Sequence, residues 1–226
     1  MDENVKNFVL IASMTLRIVG PIYEFGALQV PGQEGFADLR PLFPGFEYVG
    51  ADMREGPGVE KVLNLHDIEL PAESVGTAIC VDTLEHVEYP HRSLEEIYRI
   101  LKPSGIAIIS SVMHWPIHNY PSDYWRFTPE AFRSLLKSFE DAFVGYAGQA
   151  EFPRYVIGIG FKGRPPDISE FVAAYETWRS NLISEHPVRD FMKSLIPPAL
   201  LPIVRPVYRQ LMAILATYGH LGISRN

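Results

Sequence analysis

The chain has 226 residues, of which 47% are hydrophobic, and a formal charge of −7 at neutral pH. A chain of this size can bury a sizeable core, which favours one globular domain with or without an appendage. The acidic balance and the lack of any run of lysines or arginines argue against nucleic acid as a partner. The single cysteine, Cys80, excludes an intrachain disulfide, and two acids replace the basic start of a secretory signal, so we expect a cytoplasmic protein.

Short β-rich segments alternate with helical ones along most of the chain. Four apolar segments predict the first four strands: residues 17–26, 46–53, 58–65 and 74–81. The fourth is β-branched and apolar throughout, as expected of a strand covered on both faces. This alternation is typical of an α/β domain built around a mostly parallel sheet.

Two helices are predicted between these strands and the next one. The segment 34–43 predicts a short helix between the first and second strands. In residues 93–105, apolar side chains recur from Leu94 at positions i, i+3, i+4 and i+7, so one face should pack on the sheet. Pro103 and Gly105 are expected to stop this second helix.

The second half of the chain predicts a fifth strand, a capped helix and a terminal hairpin. The strand is the apolar segment 106–113, and a helix should begin after Thr128, which can cap it, with Pro129 in its first turn. The strand-like segments 142–150 and 154–163 are too close in sequence for a helical crossover, so we expect them to pair antiparallel.

The segment VDTLEHVEYPHRSLEEIYRILKPSGIAIIS, residues 81–110, carries a family resemblance. It resembles the region between the fourth and fifth strands of class I S-adenosylmethionine-dependent methyltransferases, in particular those of type 11. Their pattern there is Leu-Glu-His-Val, an amphipathic helix and Leu-Lys-Pro-Gly-Gly, and Ser104 stands at the first of those glycines. The resemblance covers about residues 20–163. It implies a Rossmann-like fold with a seven-stranded, mostly parallel sheet in the order 3-2-1-4-5-7-6, and S-adenosylmethionine as the cofactor.

The resemblance also implies where the cofactor binds. The first motif of the family is an acid, one residue and then glycines at alternating positions, which Glu24 and Gly26 match, whereas Leu28 stands at the second glycine. This departure suggests a rerouted loop over residues 27–35. Asp52 ends the second strand twenty-six positions after Gly26, near the offset at which an acid binds ribose hydroxyls. From residue type alone, Glu24 could equally be an exposed loop acid and Gly26 an ordinary turn residue.

Two further pairs are expected at the cofactor. Asp67 and Ile68 follow the third strand, where the family reads the edge of the adenine with an acid and the next backbone N–H. An Asx turn before Pro71 is the alternative explanation for Asp67. Asp82 and Thr83 end the fourth strand, so they should line the floor of the crevice at the carboxyl ends of the strands.

Three histidines are candidates for the catalytic base. Methyl transfer to oxygen or nitrogen needs alignment and, for a hydroxyl, removal of a proton. His86 matches the histidine of the family pattern and is the leading candidate, while His114 and His118 lie in the loop after the fifth strand. With Asp123, the last two histidines could suggest a metal site, but Pro116 between them prevents a regular helix with both on one face. We therefore expect no metal.

The loop HNYPSDYWRF is the expected substrate surface, because it combines flat aromatic faces with hydrogen-bonding groups suited to sugar hydroxyls. Its candidate residues are Tyr120, Asp123, Tyr124, Trp125 and Arg126. An ordered, aromatic-packed loop with no substrate role is the alternative.

The sequence thus predicts a methyltransferase-like domain over residues 1–163 that methylates a small-molecule or glycan hydroxyl, and a helical extension over 164–226. The apolar segment 195–204 of the extension is too short and proline-rich to span a bilayer. The extension could cover the active site, form a homodimer or lie against a membrane. The alternative function is a catalytically inactive module that has lost the cofactor and binds partners. A nicotinamide-dependent oxidoreductase is disfavoured, because no phosphate-cradling G-x-G-x-x-G is present.

Overall fold

The computed structural model describes residues 1–118 and 120–184. A seven-stranded sheet runs through this part of the chain. The strands are β1 (Ile22–Phe25), β2 (Tyr48–Asp52), β3 (Lys61–Val62), β4 (Val75–Cys80), β5 (Leu101–Val112), β6 (Asp141–Gln149) and β7 (Phe152–Phe161). Their order is β3-β2-β1-β4-β5-β7-β6. The first five pair in parallel, whereas β7 pairs antiparallel with both β5 and β6. The predicted fold class and strand order are confirmed.

Helices cover both faces of the sheet. They are α1 (Glu3–Thr15), α2 (Pro90–Ile100), α3 (Pro129–Leu135) and α4 (Ser169–Ser184). Two apolar clusters lie on opposite faces, so that neighbouring strand residues such as Ile79 and Cys80 belong to different clusters. The cluster with Ile79 includes α1 and α4, whose Phe8 and Phe171 rings meet edge to face at 6.3 Å. The other includes α2 and α3. Because both faces are covered, β1 and β4 are buried along their whole length.

The predicted helix caps are partly confirmed. Thr128 begins α3, its Oγ1 accepting a hydrogen bond from Ala131 N at 3.1 Å. In α2, Leu94 and Ile97 of the expected apolar stripe are buried and Tyr98 is partly buried, but the helix ends at Ile100. It does not continue to Pro103, because Leu101 already pairs with Val75 as the first residue of β5.

The predicted helix over residues 34–43 is wrong. That segment forms turns and one 3₁₀ turn, Arg40–Leu42, although Leu39 and Phe43 are buried as a helix face would be. Gly35 adopts a positive φ and the Asp38 carboxylate accepts a hydrogen bond from Arg40 N, so local turn bonds replace the helical ladder. The helix on this face is α1, which the sequence analysis did not predict.

Helix α4 lies in the predicted helical extension and packs on the end of the sheet. Its Phe171 and Tyr175 contact Phe143, and the Tyr175 hydroxyl donates a hydrogen bond to Tyr146 O at 3.0 Å. The boundary at residue 163 stays a prediction. The segment 195–204 and the proposed dimer or membrane contacts of the extension fall outside the described residues. None of the described helices is long and apolar enough to cross a membrane.

Candidate functional site

A cavity of about 590 Å³ opens at the carboxyl ends of the parallel strands. This is within the usual size of ligand sites, about 300–1,000 Å³, and it lies where open α/β sheets bind ligands. Nine residues singled out in the sequence line it: Glu24, Gly26, Asp52, Asp82, Thr83, His86, His118, Tyr120 and Tyr124. The structure therefore brings most of the predicted cofactor residues and two of the three candidate bases together.

Gly26 lies at the tip of β1, where the backbone approaches β4 closely. Its φ is +87°, and a Cβ built there would overlap the Thr83 Oγ1 atom. Thr83 is held in turn, because its Oγ1 is 2.8 Å from Val81 O and 3.3 Å from Phe25 O. Both the backbone angle and the missing space require glycine.

The loop after Gly26 packs on the loop after β2. Gln29 N donates a hydrogen bond to Pro57 O at 2.9 Å, and the Leu28 side chain fills the space next to Gly56. Leu28 itself lines the cavity. The residue at the usual second glycine thus forms part of the cavity wall.

Glu24 is buried beneath this loop, with only 4% of its surface exposed. Its carboxylate accepts a hydrogen bond from the Tyr48 hydroxyl at 2.7 Å, and burial raises the pKa of Glu24 to about 7. The alternative explanation of Glu24 as an exposed loop acid is therefore wrong. A buried acid of this kind becomes easier to ionise when a cation enters the cavity.

Asp52 and Asp82 place two more carboxylates at the cavity. Asp52 accepts a hydrogen bond from Arg54 N at 3.0 Å, which fixes the acid at the end of β2. Asp82, at the end of β4, accepts a hydrogen bond from Ser110 Oγ at 3.2 Å. Burial raises the pKa of Asp82. Together with Glu24 these residues give the cavity an acidic floor.

Asp67 and Ile68 do not line the cavity. Asp67 is exposed, and Ile68 is buried in the core, with its N–H donating to Glu96 Oε2 at 2.9 Å. The reason is the short third strand, which ends at Val62, so that a turn from Asn64 to Asp67 reaches the cavity earlier in the chain.

The residues that line this end of the cavity and that the sequence analysis missed include Met53, Asn64, Leu65 and His66. Met53 directly follows Asp52, so its position was the one available signal. The other three could be placed only once the turn was known.

A second group of polar residues lies around the 3₁₀ turn Leu84–His86, which follows β4. Glu85, not among the predicted site residues, is buried there and accepts a hydrogen bond from Ser111 Oγ at 2.6 Å through Oε2. Its other oxygen, Oε1, is buried without a hydrogen-bond partner. Burial, followed by the nearby charge of Asp82, raises the pKa of Glu85 to about 7.

His86 and His118 face each other beside Glu85. Their rings are 4.7 Å apart between centroids and nearly perpendicular, and His118 Nε2 is 4.0 Å from Glu85 Oε1. His114, the third candidate base, does not line the cavity, and its ring lies 4.2 Å from that of Phe152. The structure therefore groups two of the three histidines and adds a carboxylate.

The predicted substrate loop divides into a lining part and a bracing part. Tyr120 and Tyr124 line the cavity and are about half exposed. Asp123 and Arg126 do not line it; they form a two-point ion pair with each other that lowers the pKa of Asp123. Trp125 donates from Nε1 to Val87 O at 3.0 Å, which ties the loop to the 3₁₀ turn.

One protein family and several solved structures are similar to this chain. Residues 47–109 match the family described as "Methyltransferase domain". No curated protein sequence matches the chain. Similar solved structures include a Burkholderia thailandensis 1,6-didemethyltoxoflavin-N1-methyltransferase with bound 1,6-didemethyltoxoflavin and S-adenosylhomocysteine, which is 16% identical, has a TM-score of 0.51 and aligns over 72% of this chain and 79% of its own.

Two other solved structures have a similar fold. The YcgJ protein of Bacillus subtilis is 11% identical with a TM-score of 0.50, over 72% of this chain and all of its own. The [4+2]-cyclase SpnF is 14% identical with a TM-score of 0.50, over 70% of this chain and 80% of its own. At these identities the likeness shows the fold alone. The family match over residues 47–109 and the strand order together confirm the resemblance of this chain to the class I S-adenosylmethionine-dependent methyltransferases.

Proposed function

We propose that the protein is an S-adenosylmethionine-dependent methyltransferase that acts on a hydroxyl of a small molecule or glycan. One observation carries this proposal: the cavity at the carboxyl ends of the strands gathers Glu24, Gly26, Asp52 and Asp82 around one space of about 590 Å³. The family match and the S-adenosylhomocysteine bound to a protein of similar fold support the choice of cofactor.

The residues present fit this cofactor. S-adenosylmethionine supplies a methyl group on a positively charged sulfur. Asp52 would bind the ribose hydroxyls, as an acid does at this place in related folds, and Met53 and Leu65 offer apolar surface for the adenine. The backbone at Gly26 allows close approach of the methionine end, and the acidic floor with Asp82 favours a cation in the cavity.

The acceptor would enter at the other end of the cavity. Tyr120 and Tyr124 give flat faces on which a sugar ring or a small aromatic molecule can stack. Glu85, His86 and His118 are the polar groups that can act on the hydroxyl proton, which must leave as the oxygen bonds to the methyl carbon and the carbon–sulfur bond breaks.

Two observations favour a second candidate function, in which the protein keeps the methyltransferase fold but does not transfer a methyl group. Leu28 stands at the position where the family motif has its second glycine. The segment 34–43 after it forms turns and not an α-helix. In addition, a protein with a similar fold is described as a [4+2]-cyclase. The fold therefore also serves other chemistry.

The test is formation of S-adenosylhomocysteine from S-adenosylmethionine in the presence of a panel of sugar and phenolic hydroxyls. We expect turnover with at least one acceptor, and a loss of about tenfold or more for Glu24→Ala and Asp52→Ala. Glu151→Ala, at an exposed acid in the β6–β7 turn, is the matched control and should keep full rate. If Glu24→Ala and Asp52→Ala both kept full biological activity, the protein would instead be the catalytically inactive module that binds partners.

A further inference from the structure

Three hydrogen-bond acceptors converge in the wall of the cavity. One ligand atom from each of Glu85, His86 and His118 lies within 4.8 Å of the other two. All three residues line the cavity. Such a group needs a proton or a cation among its members, because acceptors that face one another repel.

The histidine rings are oriented by acceptors behind them. His86 Nδ1 lies 2.5 Å from Ser122 O. His118 Nδ1 lies 3.2 Å from Pro116 O and 3.3 Å from Asp123 Oδ2. Since these partners only accept hydrogen bonds, they place a proton on each Nδ1, so that in the neutral form of each ring the lone pair is on Nε2. This is the usual orientation of histidines that bind metals, in which a carbonyl or carboxylate holds the far nitrogen.

The Glu85 carboxylate supplies separate evidence that this group of residues binds an additional partner. The Glu85 side chain is 1% exposed, and its Oε1, which points toward His118 Nε2, is buried without a hydrogen-bond partner. Leaving a buried acceptor unpaired costs about 1–3 kcal/mol, and more for a charged group. Ser111 satisfies the other oxygen, so one oxygen of a fixed carboxylate is left for an additional partner.

We propose that Glu85, His86 and His118 bind a divalent transition-metal ion in the cavity wall. Two imidazoles and one carboxylate are a set that suits zinc with an open position for water or substrate. Magnesium and calcium prefer sets made only of oxygens. With bonds of about 2.1 Å, tetrahedral ligands lie roughly 3.4 Å apart, so binding draws the three groups together by about 1 Å.

This set differs from the one considered in the sequence. His114 lies elsewhere, beside Phe152, and Asp123 orients His118 through its Nδ1. The signal that was missing is the burial of Glu85 opposite the two rings, which depends on the long-range approach of the loop after β5 to the turn after β4.

The role of the ion rests on the proposed function, whereas its binding does not. The acceptor hydroxyl would occupy the open position and its pKa would fall. Its proton then passes to solvent water, and its oxygen lone pair forms the bond to the methyl carbon as the carbon–sulfur bond breaks. His86 and His118 act as ligands in this arrangement.

The experiment uses the full chain, freed of metal with a chelator and then titrated with Zn²⁺ by calorimetry, with Co²⁺ absorption as a second readout. We expect one ion per chain in the wild type and no binding of Mg²⁺. Glu85→Gln and His118→Gln should weaken Zn²⁺ binding about 100-fold or more, whereas His91→Gln, an exposed histidine of α2, should bind as the wild type does.

Absence of stoichiometric Zn²⁺ binding by the wild type, or equal binding by wild type and His118→Gln, overturns the proposal. If Glu85→Gln does not fold, His118→Gln decides, because this side chain is 26% exposed. S-adenosylmethionine binding is measured in the same samples. If the protein binds S-adenosylmethionine but not Zn²⁺, the metal site alone is rejected. If it binds Zn²⁺ but not S-adenosylmethionine, the proposed function alone is rejected.

Discussion

Gly26 lines the cavity and has a backbone conformation and a close neighbour that both require glycine. Its positive φ and the nearby Thr83 side chain leave no room for a Cβ. Gly32 also has a positive φ, but a Cβ there would meet nothing within 4 Å. Alanine at Gly32 therefore adds backbone strain alone, whereas alanine at Gly26 adds the same strain and a clash with Thr83 at the cavity.

We predict that Gly26→Ala weakens S-adenosylmethionine binding by about tenfold or more, because Thr83 and the tip of β1 must move apart. Gly32→Ala carries the strain of a positive φ, about 1–3 kcal/mol of stability, and should change affinity by less than about threefold. Calorimetric titration of both variants checks this. Equal losses in the two would contradict the steric explanation.

Glu24 predicts a pH-dependent stability. Its folded pKa of about 7 lies above the ordinary value of 4.5, so the folded state binds the extra proton between these values. The wild type should therefore lose stability as pH rises through this window, by on the order of 3 kcal/mol at most. Glu24→Gln removes this ionisation. The free energy of unfolding of the variant, relative to that of the wild type, should therefore rise from pH 5 to pH 8. Urea unfolding at both pH values measures the difference, and a constant difference would refute the assignment.

The acids at strand ends were predictable from the sequence, because β1, β2 and β4 place their last residues at one edge of the sheet. Asp82 followed from that rule, whereas Glu24 was expected from the first motif of the resembled family and Asp52 from its spacing after Gly26. Asp67, also expected from the resemblance, does not line the cavity, because β3 ends at Val62 and the chain turns toward the cavity before it reaches Asp67. Glu85 could not be assigned to the site from the sequence, because its unpaired oxygen exists only in the folded arrangement.

At the scale of elements, the strands were predictable and one crossover was not. Buried strands such as β4 appear as continuous apolar runs, and the capping signal of Thr128 is local. The segment 34–43 has apolar residues at helical spacing, but its glycine and Asp38 favour turns. Its two buried residues, Leu39 and Phe43, join α1 in one apolar cluster, a tertiary contact that no local pattern shows.

The loop after β5 is the element that positions His118, and its brace can be tested. Arg126 donates to both oxygens of Asp123 and to the carbonyl oxygens of Trp115 and Pro116. Arg126→Lys removes the planar, two-point geometry. We expect the acceptor KM to rise and kcat to fall by about tenfold, with S-adenosylmethionine affinity unchanged.

Arg133→Lys is the control for this variant, because Arg133 forms an exposed ion pair with Glu130 on α3. Steady-state kinetics with the acceptor varied, together with cofactor titration, measures both effects. A loss of cofactor affinity in Arg126→Lys equal to the loss in turnover would show that the loop serves the whole cavity and not the acceptor end.

At the scale of the molecule, the proposed function assigns a cofactor end and an acceptor end to one cavity. The loops after β1, β2, β3 and β4 carry the acids and apolar residues of the first, while the turn after β4 and the loop after β5 carry the histidines and tyrosines of the second. The strand order was expected from the family resemblance, and the final hairpin from the short connection between its two strands. The atypical loop with Leu28 borders the cofactor end, so binding there is the central claim.

Calorimetric titration of the purified, folded protein with S-adenosylmethionine and with S-adenosylhomocysteine tests that claim most directly. We predict saturable binding of both, with one molecule per chain, and binding weaker by about tenfold or more in Gly26→Ala. No saturable binding of either compound by the folded wild type would contradict it.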